Sequence, residues 1–487
     1  MSQNESDAFA GDGGARELRA RWVVEGILEL KTAACFGGGS GEIADLTVLR
    51  DQDGAPVLPG TSLAGALRSH LADVLGGYRS QEDPDVESLF GVTKSRSRDD
   101  EPGWQSPLII FDAHASEQTR TEIRDGVAIE AETGTAEKHK KFDAELLPPG
   151  TTFPLRFELL LEKRHENEED ILSLFATALE GLGDGSIGVG IRRSRGLGRV
   201  EVRDWRAHRF DLSSKQGWLE WLATIPESRL DSKAESWPPA DLGPREDHRD
   251  RFIADLKLSV DSILIGSPSL VATGPDVSHL TSKGESILSG TSLAGALRNR
   301  ALRIARAVRN GQGDADQWID RLFGPRFRDS ERAAVTPLGS RLRISENVIR
   351  GPASDKDIRL QTVRIAIDRF TQGPIEGALV EEEASYDGAV DGVKVEIRNP
   401  VEGEPGLLLL VLKDLLTGDL PIGGTASVGR GVVKGEVAIL YEESRWAIDP
   451  SRKAEPDTVE AANNLVEEFH AAAKTSTPNT EVKHARD

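Results

Sequence analysis

The segment Leu58–Arg68 reads LPGTSLAGALR and Leu288–Arg298 reads LSGTSLAGALR, so ten of eleven positions agree at a spacing of 230 residues. Identity of that density within one chain marks an internal duplication, and a duplication decides architecture before local propensity does. The correspondence continues in the same order. Leu89-Phe90-Gly91 returns as Leu322-Phe323-Gly324, and the apolar run at Ile109-Ile110 returns at Leu342–Ile344. Val127-Ala128-Ile129-Glu130 returns as Ile365-Ala366-Ile367-Asp368, and Arg195-Gly196 with Glu201-Val202 is matched to Arg430-Gly431 with Glu436-Val437. These landmarks predict two copies of one domain, each of about 230 residues.

Residues 1–17 read as a polar leader, 18–222 as the first domain and 251–447 as the second. Between them, 223–250 carries Pro226, Pro238, Pro239 and Pro244 among many charges, the composition of a linker. Residues 448–487 hold an amphipathic helix near Val459–Ala473, followed by a Thr/Pro/Lys-rich tail expected to be disordered. The opening MSQNESDAFAGDGG lacks the features of a secretory signal. The most compact apolar run, Leu407–Leu412, is too short to cross a bilayer. The one cysteine, Cys35, excludes an intramolecular disulfide and any multi-cysteine metal site. The expectation is a cytoplasmic protein with no membrane partner.

Within each copy, strand-like alternation occurs at Ala20–Leu30, Thr152–Leu160 and Arg199–Val202, and again at Ala254–Ile263, Val393–Ile397 and Val432–Leu440. Helical periodicity occurs at Leu63–Leu75, Asp170–Leu179, Leu293–Val308 and Leu407–Leu415. That order predicts an α+β unit with a mainly antiparallel sheet, a ferredoxin-like core enlarged by long insertions.

The GTSLAGALR segment opens a helix, with Thr61/Ser62 and Thr291/Ser292 as N-cap candidates after Gly60 and Gly290. Free N–H groups, the helix dipole and two hydroxyls make a phosphate site, with Arg68 and Arg298 two turns on. An ordinary capped helix with small packing residues gives the same pattern. The second element, GIRRSRGLGR at Gly190–Arg199, places Arg192, Arg193 and Arg195 among glycines, a composition suited to a sugar–phosphate chain. Its counterpart is Gly423–Lys434, which contains Arg430. A glycine turn with solvated arginines is the plain alternative.

The net charge of −21 argues against a free-standing nucleic-acid binder unless positive charge is clustered. It is. Arg298, Arg300, Arg303, Arg306 and Arg309 line one helix without an intervening acid, and Lys138–Lys141 reads KHKK. An anionic partner explains the helix most directly, and pairing with acids elsewhere in the chain explains it too.

For catalysis, the histidines do not fall at metal-ligand spacing, and there is no nucleophile elbow. Asp45 lies in the Gly-rich stretch GGGSGEIADLTVLRD, fifteen residues before Gly60, and Asp276 lies in TGPDVSHLTSKG, fourteen before Gly290. A loop aspartate near a phosphate-binding helix suits a hard divalent cation or an RNA 2′-hydroxyl reaction, although loop aspartates commonly just cap turns.

Taken together, the Gly-rich loop, the aspartate, the [PS]GTSLAGALR segment, the LFG, the AI-[DE] stretch and the terminal Gly-rich loop resemble backbone subunits of type III CRISPR effector complexes, in the RAMP superfamily. Two such subunits are joined in one chain, as in some type III-D systems. The resemblance implies modified, RRM-like ferredoxin folds with thumb hairpins that stack along a CRISPR RNA. It implies partners in CRISPR RNA, target single-stranded RNA and other type III effector subunits. It also implies an endoribonuclease in which the loop aspartate cuts target RNA with Mg²⁺ or Mn²⁺. On this sequence that role falls on Asp45, as metal ligand and catalytic residue, and on Asp276, whose loop is shorter and where Ser289 replaces the proline. Guide contacts carry over to Gly60, Thr61, Ser62, Arg68, Gly290, Thr291, Ser292 and Arg298, and to the loops around Arg195 and Arg430; thumb residues include Lys138–Lys141 and Thr371–Leu379. Two rivals stand beside this reading. One is a non-catalytic scaffold. The other is a stand-alone processing ribonuclease, for which His139 and His279 are the available acid/base candidates.

Overall fold

Alternating apolar residues turn Leu18–Leu30 into a central strand, β1, with Ala20, Val24, Leu28 and Leu30 in the core and Val23 on the opposite face. This is seen in a computed structural model, which describes residues 17–474 apart from 38, 40, 42–43, 79–82, 93–104, 118, 131–132, 134, 164–166, 225–233, 240–241, 244, 269–273, 309–314, 326–338 and 352–357. The expected leader up to residue 16, the tail from 475 and Arg309 therefore lie outside the described residues.

The first repeat continues with helices α1 (Gly60–Gly76) and α2 (Pro84–Phe90), strand β2 (Leu108–Ile110) and a hairpin of β3 (Glu122–Ile129) and β4 (Ala136–Leu146). Strand β5 (Thr152–Glu162), helix α3 (Glu168–Gly183), strand β6 (Val200–Asp211) and helix α4 (Lys215–Ala223) complete it. The sheet order is β2-β5-β1-β6 with every pairing antiparallel, and α1 and α3 close the core. That is the βαββαβ plan of a ferredoxin-like fold. Within the stretch read as linker, Glu235–Ser236 pairs with β6, and Trp237 is buried against Phe175 and Trp22.

The second repeat runs β7 (Arg251–Ile263), β8 (Val277–His279), α5 (Gly290–Val308), α6 (Ala315–Phe323), β9 (Leu342–Ile344), β10 (Arg359–Ile367), β11 (Pro374–Arg398), α7 (Glu404–Leu416), β12 (Val433–Tyr441) and α8 (Pro456–Lys474). Its order β9-β11-β7-β12 repeats the first sheet strand for strand. Strand β11 is long enough to serve both the sheet and the hairpin with β10, roles divided between β5 and β4 in the first repeat. Helix α8 buries Leu465, Phe469 and Ala473 against this second core. No helix among the described residues is long and apolar enough to cross a membrane.

The two repeats meet head to tail. A 3₁₀ turn at Arg193–Arg195, just before β6, packs against the start of α5 and the end of β9. A Cβ at Gly290 would run into the Arg195 carbonyl oxygen, and one at Gly196 into the Glu346 backbone. Arg124 on β3 donates to Glu346 at 2.7 Å, with both side chains nearly excluded from solvent. Glu122 accepts from the Ser282 hydroxyl at 3.0 Å and from the Lys283 amide, and Arg343 donates to the Ser186 carbonyl at 2.9 Å.

Candidate functional site

The loop that carries Asp45 is laid along β4 as a short parallel partner. Leu46 bridges Ala144, its N–H donates to the Asp143 carbonyl at 3.2 Å, and its carbonyl accepts from the Glu145 amide at 2.8 Å. Asp45 is exposed, with Oδ2 accepting the Asp143 N–H at 3.0 Å. The second repeat does the same: Val277 and Ser278 run parallel to Glu382 and Glu383, and exposed Asp276 accepts the Glu381 N–H at 2.9 Å. The two aspartates are thus structural counterparts, each fixed at the foot of a hairpin, despite the shorter second loop.

Their surroundings differ. Beside Asp45, Asp143 stands opposite Asp125 in the hairpin, and Lys141 reaches Asp125 at 3.1 Å. The hydrogen bond with Asp125, followed by burial, holds the Asp143 carboxyl above the usual aspartate range, and the Asp45 charge adds to this. In the second repeat the corresponding pair is Val363 opposite Glu381, and Leu379 replaces Lys141. Val363, Ile365 and Leu379 there are about half exposed, with Phe370 at the hairpin tip.

The helix starts depart from expectation. Helix α1 begins at Gly60 with Pro59 as N-cap and no side-chain cap, so Thr61 and Ser62 stand inside the first turn, exposed. The Gly60 amide is taken by Asp112 Oδ1 at 2.7 Å. In the second repeat, Gly290 is buried in the seam. Ser289 there accepts the Thr291 amide at 3.3 Å and bonds its hydroxyl at 2.6 Å, while Ser292 is half-buried. Arg68 donates to the Phe90 carbonyl, and Arg298 donates to the Gly324 carbonyl at 2.6 Å and pairs with Asp320. The repeated string is therefore also the brace that holds each LFG turn.

The glycine turns correct the register read from sequence. Gly190, Gly196 and Gly198 have positive φ, as do Gly423, Gly429 and Gly431, and Arg192 and Thr425 share the left-handed conformation. Arg195 therefore corresponds to Val428, not to Arg430. Arg192 and Arg193 are exposed, Arg192 lying 3.9 Å from the Phe142 ring centroid. Arg195 instead donates to the Phe323 carbonyl at 2.9 Å across the seam, and burial pushes its guanidinium down to about 10. Arg430 is buried, donating to Glu382 at 2.6 Å and to the Thr362 hydroxyl at 3.3 Å. On α5, Arg298, Arg300 and Arg306 pair with Asp320, Asp414 and Asp316, so internal acids account for much of that cluster. Lys138 and Lys140 lie on β4, with side chains outside the described ones.

A family model described as the RAMP superfamily matches residues 27–201 and 264–434, most of the chain. The chain belongs to the RAMP superfamily. Over 207 residues it is 27% identical to the CRISPR system Cms endoribonuclease Csm3 of Methanocaldococcus jannaschii, a match covering 38% of this chain and 80% of that protein. The duplicated ferredoxin-like sheets are two RAMP repeats in tandem.

Of the two histidines offered as acid/base candidates within these RAMP repeats, the described one has no open role. His279 is buried: Nδ1 accepts the Ile265 amide at 3.1 Å and Nε2 donates to the Ile287 carbonyl at 3.0 Å. Burial pushes it down to about 4, so it stays neutral near pH 7. The His139 side chain is outside the described ones. Among the described residues no group of three or more His, Cys, Asp or Glu forms a metal cage. Around Asp45 the donor set is carboxylate oxygen, from Asp45 itself and from Asp143, whose Oδ1 is buried with Lys141 Nζ at 3.9 Å as its described cation. That set fits a hard cation that keeps most of its water. The Asp143–Glu145 contribution was missed in the sequence. Its signal is the period-two charge in Lys141, Asp143 and Glu145, which puts all three on one face of a strand.

Proposed function

We propose that this protein is a cytoplasmic backbone subunit of a type III CRISPR ribonucleoprotein, which grips CRISPR RNA along its sugar–phosphate chain and cuts complementary target RNA at Asp45. The observation that carries the reading is the exposed Asp45 carboxylate, fixed by the Asp143 amide at the foot of a hairpin within a RAMP repeat. The named relative is an endoribonuclease of a CRISPR system, which supports the same class of chemistry. Thr61, Ser62, Arg192 and Arg193 present exposed donors on the first repeat, and Lys138 and Lys140 add charge on β4. Guide pairing then selects sequence while the protein reads backbone and shape. A Mg²⁺ or Mn²⁺ ion held by Asp45, with phosphate oxygens and water filling its shell, would stabilise charge on the scissile phosphate.

The second repeat serves as scaffold in this reading, because Val363 and Leu379 stand where the first repeat has Asp125 and Lys141. The seam is a heterologous contact, which leaves one complementary face unused at each end. We assign those faces to other subunits of the complex.

The test is Asp45→Ala in the complex assembled with its guide RNA. One set of target cuts falls by about 100-fold or more, the scale of losing an electrostatic catalytic group, while target binding is retained. Unchanged cutting overturns the assignment. Asp276→Ala leaves cutting within about twofold. The slope of log affinity for unpaired RNA against log salt gives the phosphate contacts, at roughly −0.7 each.

A further inference from the structure

We infer that Glu145 is a positioning residue that clamps the Asp45 loop onto the β3–β4 hairpin; the inference rests on the reading of Asp45 given above. Glu145 grips the loop twice. Its backbone N–H holds the Leu46 carbonyl at 2.8 Å, and its Oε2 accepts the Val48 amide at 2.9 Å. Its Oε1 accepts from Arg50 Nη2 and from the Thr121 hydroxyl, each at 2.8 Å. The carboxylate is 15% exposed, so these bonds are made largely out of water, where an unmet partner is costly. Burial alone would raise this carboxyl, but the Val48, Arg50 and Thr121 hydrogen bonds outweigh it and hold the group below the usual glutamate range.

The second repeat is the natural control. Glu383 occupies the position of Glu145, with Ser278 as its backbone partner, yet no described loop amide donates to its carboxylate. In place of Val48 that loop has His279, which ties it to Ile265 and Ile287 in the body of the domain instead of to the hairpin. Among the described residues, only the first repeat thus adds to the aspartate's own bond a second tie in which a hairpin carboxylate grips the loop. Removing the clamp leaves the Leu46 backbone bonds and the Asp143 amide bond, so the fold survives while Asp45 loses its fixed place. Misplacement of about 1 Å costs on the order of 100-fold in rate.

The experiment uses the full chain in its guide-RNA complex, with Glu145→Ala, Glu145→Gln and Asp45→Ala, and a labelled complementary RNA. Single-turnover cleavage at saturating target is read at the Asp45-dependent position, alongside target Kd, thermal melting and hydrogen exchange of residues 44–50. Glu145→Ala slows cleavage about 30-fold and raises exchange at Val48, with Kd changed less than about twofold. Glu145→Gln, which keeps an acceptor for the Val48 amide, recovers to within about fivefold of the unsubstituted rate. A rate loss that Gln does not rescue, or one that tracks lost target binding and melting, overturns the positioning role in favour of a structural one. Unchanged rate or unchanged exchange in Glu145→Ala overturns it outright. Cutting that survives Asp45→Ala overturns the functional reading and this inference together, and the Asp45→Ala arm tells that failure apart from failure of the clamp alone.

Discussion

The turn at Arg193–Arg195 and its counterpart at Ala426–Val428 have the same backbone and opposite surroundings. In both, a left-handed residue precedes the turn and a glycine with φ near +86° follows it, at 87° for Gly196 and 85° for Gly429. In the first repeat the turn is driven into the neighbouring repeat, with Arg195 bonded to the Phe323 carbonyl and Gly196 against Glu346. In the second, Val428 is 62% exposed and a Cβ at Gly429 would touch nothing. Duplication has kept the conformation that glycine alone tolerates comfortably, while the side chains have diverged according to what each turn meets. Charged contact marks the closed face, and an apolar side chain marks the open one.

The largest effect that separates the two faces belongs to the buried pair at the closed one. Arg124→Ala leaves Glu346 without its cation in a site where burial already pushes that carboxyl upward, and costs about 3–5 kcal/mol, read as a shift of the urea midpoint. Its counterpart on β10 is Thr362, which faces no neighbouring repeat; Thr362→Val loses only the 3.3 Å bond from Arg430 and the 3.4 Å bond to the Glu382 carbonyl and costs about 1 kcal/mol. Equal losses in the two variants would mean that the seam does not distinguish the repeats.

Much of this architecture was legible because duplication puts two readings of one fold into one chain. The two GTSLAGALR strings predicted two equivalent helices, and the alternation of β1 and β7 placed the central strands. The turn register was misread because Arg195-Gly196 and Arg430-Gly431 share a dipeptide, whereas backbone conformation follows glycine spacing. Gly190, Gly196 and Gly198 repeat the intervals of Gly423, Gly429 and Gly431, and those intervals were there to be counted. The arginines of α5 were harder. Arg300 finds Asp414 from another helix over a hundred residues away, and only the fold makes that acid local. Asp45 and Asp276 were placed by their distance from the helix start. Glu145 was not, because its loop partners precede it by almost a hundred residues.

A smaller effect sharpens the comparison at the glycines themselves. Gly196→Ala and Gly429→Ala both put a Cβ on a left-handed residue, at about 1 kcal/mol. Only Gly196 adds a collision with the Glu346 backbone, worth a further 1–3 kcal/mol or so. Urea midpoints of the two variants should therefore differ by about 2 kcal/mol. Indistinguishable midpoints would show that the seam yields without cost.

The smallest effect concerns how the second repeat holds its open turn without a neighbour. Glu382 is nearly excluded from solvent and binds Arg430 from the turn and Arg364 from β10. Burial would raise its carboxyl, but hydrogen bonds from Arg430 and then Arg364 outweigh this and hold it below its ordinary value of 4.5. A group with a depressed folded pKa adds stability that is fully present above the unfolded value and is lost as pH falls through the folded one. Glu382→Gln should therefore cost about 1.5 kcal/mol at pH 7, the low end of the scale for a hydrogen bond to a charged group. That difference should shrink as pH drops below about 4.5 and the unsubstituted chain loses the same charge. The first repeat has Ala144 at this position and ties its turn to the neighbour, so Ala144→Gln has no charge to lose and its effect is independent of pH over the same range. A Glu382→Gln penalty that persists unchanged at acid pH would mean that the side chain acts by packing, and the open turn would then be held by shape, not by charge.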